Sequence, residues 1–132
     1  MTGEKNLETL LATLSPTLND GEYVFCSFKN AMYGDYSDLK PIASFSESKG
    51  LTLIISKIEA DEKGLTYNGV FKVITLRVHS SLEAIGLTAA FSKKLTEHGV
   101  SANVVAGYYH DHIFVKTEQA EKAIVALNEF SR

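Results

Sequence analysis

The sequence predicts an α+β fold in which helices pack on one face of an antiparallel sheet. Two observations carry that expectation. Residues 69–132 read in the order strand, helix, strand, strand, helix, which suits that layering. The strands alternate in hydrophobicity with period two, whereas the helices carry apolar stripes at spacings of three and four.

The first element is a helix. Leu7, Leu10, Leu11, Leu14 and Leu18 recur at helical spacing with polar residues between them. It should end near Ser15–Pro16, because proline cannot continue a helix and biases its predecessor away from the helical region. Asn19-Asp20-Gly21 is a turn signal, and the aromatic and β-branched run Glu22–Phe28 follows as a strand. Residues 29–41 carry little periodicity and read as a surface loop. Ile42–Phe45 and Leu51–Ile55 read as strands separated by a polar stretch ending in Gly50. Ser56-Lys57-Ile58-Glu59 is a capping box, in which serine and glutamate each bond an amide at the start of a helix. Gly64 closes that short helix.

In the second half, Val70–His79 alternates, with Ile74, Leu76 and Val78 on one face and Thr75, Arg77 and His79 on the other. Ser80-Ser81-Leu82-Glu83 is a second capping box. Ala84, Leu87, Phe91 and Leu95 then form an apolar stripe that Gly99 ends. Ala102–Ala106 and Ile113–Val115 are short strands joined through Gly107–His112. Thr117 can cap a last helix whose buried face is Ala120, Ile124, Leu127 and Phe130. Thr52–Ala60 and Thr75–Ala84 echo each other when one residue is gapped, which suggests two related halves, 1–68 and 69–132.

Bulk properties narrow the function classes. A chain of 132 residues fits one compact domain or two very small ones. Its formal charge is −3 and its basic residues are scattered, which argues against nucleic acid as a partner. The longest apolar runs, LTLII and ANVVAG, are too short to cross a membrane. The N-terminus lacks the basic start and uninterrupted apolar centre of a signal peptide, so a cytoplasmic location is expected. The single cysteine, Cys26, excludes an internal disulfide framework and reads as a buried structural thiol. No serine sits in a nucleophile elbow, and no glycine-rich phosphate loop occurs.

The segment Gly86–Asn103, GLTAAFSKKLTEHGVSAN, resembles an ACT domain. Gly86 and Gly99 stand thirteen positions apart, the spacing of that family, and are followed by Val100, Ser101, Ala102 and Asn103. SSLEAIGLTAA, SANVVAGYYHDHIFV and GLTLI are similar to a bacterial family of small tandem-ACT proteins of mostly unassigned function. The resemblance implies a ferredoxin-like fold in each half. It also implies ligand binding, commonly of amino acids, near the first loop and the start of the first helix, at an interface between ACT surfaces.

Helix starts present unpaired amides and the positive end of a dipole, which suits a carboxylate. The candidate ligand-binding residues are therefore Ser80, Ser81, Leu82, Glu83, Ala84, Ile85, Gly86 and Leu87, and the resemblance to ACT domains adds Ser101, Ala102 and Asn103 from the next strand. The backbone amides are stronger candidates than Ser80 and Glu83, which structural capping explains equally well. His110-Asp111-His112 suits a metal by residue type, but nothing in the spacing fixes a third or fourth ligand. A turn or interface role is favoured for the triplet, with Tyr108 and Tyr109 as walls of a pocket or contacts of a dimer. The sequence thus points to a non-catalytic small-molecule sensor without cofactor or metal, acting as a homodimer and binding an amino acid. The alternatives are a metal-dependent enzyme using His110, Asp111 and His112, and a purely structural interaction module.

Overall fold

A computed structural model describes residues 6–79 and 85–131. They form two compact units, one spanning Gly21–Phe71 and the other joining the chain up to Asp20 with the chain from Lys72 onward.

The Gly21–Phe71 unit holds strands β2 (Tyr23–Phe28), β3 (Ala43–Glu47) and β4 (Gly50–Ser56) and helix α2 (Lys57–Glu62). The strands are antiparallel in the order β3-β4-β2, with Cys26 opposite Leu53 and Phe45 opposite Thr52. Alternation places Val24 and Cys26 on the same face as Leu51, Leu53 and Ile55, and these residues form the core with Ala60. Leu39 joins them. The 29–41 segment is therefore more than a surface loop: a 3-10 turn at Ser37–Leu39 drops its one leucine into the interior. Cys26 is buried, and burial pushes its thiol above the ordinary value. Ser56 caps α2, its Oγ accepting from the Glu59 amide at 3.1 Å, and Gly64 follows in the left-handed conformation. Phe71 pairs with Tyr23 and meets the Phe25 ring edge-on at 5.2 Å.

Strand β5 (Phe71–Leu76) begins at that phenylalanine and runs on into the other unit. There it joins α1 (Leu7–Ala12), β1 (Pro16–Leu18), α3 (Leu87–Glu97), β6 (Asn103–Ala106), β7 (Asp111–Lys116) and α4 (Ala120–Asn128). The strand order is β1-β5-β7-β6, the ferredoxin-like arrangement in which the first strand of the second half occupies the centre. Its fourth strand is β1, from near the N-terminus, with Thr17 opposite Thr75. Ile74, Leu76, Ile113 and Val115 face α3 and α4, packing on Leu87, Phe91, Leu95 and Leu127. Leu10 and Leu14 complete this core.

Four local expectations need correction. The first helix stops at Ala12, and Ser15 turns the chain at φ 49°, so Leu18 lies in a strand rather than on the helical stripe. Helix α3 starts at Leu87 behind Gly86, not at the 80–83 box, which lies outside the described residues. A 3-10 turn at Thr117–Gln119 precedes α4, whose buried residues are Ala120, Ala123, Ala126 and Leu127, while Ile124 and Phe130 are half-buried beside them. The described part of the echo between Thr52–Ala60 and Thr75–Ala84 departs, since Ile54 and Ile55 lie in β4 whereas the matching Arg77 and Val78 follow the end of β5. β4 runs straight into α2, whereas ten residues separate the end of β5 from the start of α3.

Candidate ligand site

The start of α3 follows from two adjacent residues with opposite demands. Leu87 is buried in the core and anchors the first turn. Gly86 before it adopts φ 89°, which L side chains rarely tolerate, and its carbonyl accepts from the Ala90 amide at 2.9 Å. No side chain of the described residues caps this helix, and its first turn holds no acidic residue. Helix-start amides of this kind suit an anion. Among the described residues a Cβ on Gly86 would meet only Leu7 Cδ2, at 3.5 Å, so the positive φ is the reason for glycine that these residues show. Ile85 is 88% exposed beside it.

Ser101, Ala102 and Asn103 stand elsewhere. They follow the C-terminal end of α3, an eleven-residue helix that rises about 16 Å along its axis. A single unit therefore does not bring the Gly86 end and Asn103 together. Gln119 fixes the intervening loop, donating from Nε2 to Gly99 O at 3.1 Å and accepting the Ser101 amide on Oε1 at 3.4 Å. Ala102 packs on the core, while Asn103 donates from Nδ2 to its cross-strand neighbour Phe114 O at 3.5 Å.

The hairpin between β6 and β7 holds the remaining candidates. Gly107 N donates to His110 O at 2.9 Å, which leaves Tyr108 and Tyr109 at the tip. Both tyrosines are exposed, their rings in edge contact at 5.1 Å, and Tyr109 also faces His79 at 5.8 Å. Asp111 lies in β7 opposite Ala106, not in the turn itself. Burial raises its carboxyl above the ordinary value, while the imidazoles of His112 and His110 oppose that shift. His110 and His112 share a face, with His110 Nδ1 donating to Val78 O at 3.4 Å. His112 Nδ1 instead meets Thr75 Oγ1 at 3.1 Å, and that oxygen also accepts from Asn19 Nδ2 at 3.0 Å. Desolvation lowers the His112 pKa, helped by the neighbouring His110 and Arg77 and opposed by Asp111. Among the described residues no three His, Cys, Asp or Glu side chains converge as metal ligands.

The Asn19–Thr75–His112 row is absent from the sequence expectation. Its signal is a threonine on the polar face of β5, level with a histidine two strands of sequence away, and only the pairing of β5 with β7 makes them neighbours.

Comparison with known proteins settles the family. ACT-domain models match residues 2–72 and, with a second model, residues 70–129. The chain belongs to the ACT-domain family. No protein of curated function matches it. A Vibrio cholerae protein, described as of unknown function and a possible transport protein, is 55% identical with a TM-score of 0.88, over 97% of this chain and 98% of that one. An Agrobacterium tumefaciens protein shares 13% identity with a TM-score of 0.72, over 88% of this chain and 87% of that one. The ligand-free regulatory subunit of aspartate kinase from Thermus thermophilus shares 10% identity and a TM-score of 0.65, over 89% and 97% of the two chains. The last two likenesses are of fold. No helix among the described residues is long and apolar enough to cross a membrane.

Proposed function

We propose that this tandem-ACT protein is a non-catalytic regulatory module that binds a small zwitterion, an amino acid, in the cytoplasm. The amide end of α3 behind Gly86, capped by no described side chain, carries the reading, because helix-start amides suit a carboxylate in a family that binds small molecules. The segment 80–87 supplies this end of the site. Ser101, Ala102 and Asn103 lie a helix length away, so the reading requires them to come from a second ACT surface, and a homodimer supplies one. The hairpin residues Tyr108–His112 then line the interface. The halves 1–68 and 69–132 are the sequence repeats in this reading, and the ligand favours one mutual arrangement of surfaces that a partner recognises.

A thermal-shift screen of the twenty amino acids at millimolar concentration tests this. A ligand present at about 100 times its Kd adds roughly 2.7 kcal/mol to the folded state, a shift of several degrees. Gly86→Val should abolish that shift in a protein that still unfolds cooperatively. Silence to all twenty, with stabilisation by zinc that His112→Ala removes, would overturn the reading.

A further inference from the structure

The face of the β1-β5-β7-β6 sheet turned away from α3 and α4 carries a polar row that the amide end of α3 does not use. Thr75 on β5 is only 5% exposed, yet its hydroxyl meets two side chains. Asn19 Nδ2 donates to its oxygen at 3.0 Å, and His112 Nδ1 lies 3.1 Å away on the other side. With one lone pair taken by Asn19, the hydroxyl can give its proton to His112 Nδ1. In that arrangement the imidazole is neutral and its single proton is on Nε2. That nitrogen lies over a glycine: a Cβ on Gly107 would stand 3.5 Å from His112 Nε2 and 3.0 Å from His110 O.

The surroundings favour negative charge. Arg77, two residues past Thr75 on the continuing ladder, is exposed and close enough to oppose protonation of His112. His110 is held on the same face by Val78 O, and His79 lies against Tyr109. Asp111 is the opposing carboxylate, on the other face of β7 and half-buried.

We propose that this face binds an oxyanion, phosphate or carboxylate, with His112 Nε2–H as the preset donor, Arg77 as the fixed positive charge and Gly107 as the gap that admits the ligand to the ring. Asn19 and Thr75 are positioning residues that set the tautomer. The proposal uses none of the helix-start residues 80–87 and none of Ser101–Asn103, and it shares only His112 with the hairpin that the earlier reading places at an interface.

Imidazole 15N spectra of the uniformly labelled full chain at pH 7, in a buffer free of oxyanions, provide the test. His112 is expected as the neutral Nε2–H tautomer, and Thr75→Val should release that preference. Titration with inorganic phosphate, and separately with acetate, should shift Nε2 saturably, and the stronger response identifies a tetrahedral or a planar oxyanion as the better fit. Arg77→Gln should weaken binding about fivefold or more, since it removes a charge-assisted partner. Gly107→Ala should weaken it at least as much in a folded chain. An Nδ1–H tautomer, shifts that sodium chloride reproduces at equal ionic strength, or equal binding by parent and Arg77→Gln would overturn the proposal. Loss of binding to both anions with an intact Nε2–H tautomer would overturn it as well, while leaving the amino-acid reading at α3 untouched.

Discussion

Leu10→Ala should destabilise the unit built from residues 72–131, although the leucine lies more than sixty positions earlier in the chain. Leu10 is fully buried in the cluster with Ile74, Phe91, Leu95 and Leu127. The substitution removes three carbons from that cluster. At about 0.8 kcal/mol per buried methylene this costs roughly 2.4 kcal/mol in transfer, and the cavity left behind raises the total to between about 2.5 and 5 kcal/mol. Urea denaturation followed by far-ultraviolet circular dichroism measures it, since the chain has no tryptophan. Ile58→Ala is the control, because Ile58 is exposed on α2 and its truncation should change stability by less than about 0.5 kcal/mol. Equal midpoints for the two variants would refute the placement of the first helix in that core.

Three further outcomes follow from named contacts. Gly50→Ala should cost about 2 kcal/mol or more in the same assay, because the glycine sits at φ 145° and a Cβ would lie 2.6 Å from Phe28 O. Ser56→Ala should cost about 1 kcal/mol, and Ser56→Asp should restore most of it, as expected for an N-cap whose oxygen accepts the Glu59 amide. The His112 pKa is lowered in the folded chain, so between that value and 6.5 the unfolded chain binds more protons. Stability is therefore fully present above pH 6.5 and falls as the pH drops towards the folded value. Urea midpoints across pH 5–7.5 should show this slope, and His112→Gln should flatten it.

Much of the fold was legible because alternation and capping are local. The faces of β5, the Ser56 cap and the Gly99 stop each follow from a handful of adjacent residues. What escaped was non-local. Leu18 fits a helical stripe and a strand equally well, and only its pairing with Ile74 decides between them. Leu39 is a lone apolar residue without period, and its burial depends on a 3-10 turn. The start of α3 rests on a left-handed glycine and a buried leucine, a way to begin a helix that side-chain capping does not reveal. The candidate site was legible in its residue types and not in its distances. Gly86 and Asn103 are separated in sequence by one helix, and that helix holds them apart.

The place of β1 has a consequence for the order in which the protein is made. Synthesis delivers α1 and β1 first, but their partners β5, α3 and α4 emerge only after the whole Gly21–Phe71 unit has left the ribosome. That middle unit draws on one continuous stretch and can close while translation proceeds. The early leucines must wait, exposed, until the last helix arrives. Nascent chains halted before α4 should hold a protected Gly21–Phe71 unit and a protease-sensitive α1–β1 segment, and the residues before Gly21 would be among the last to fold.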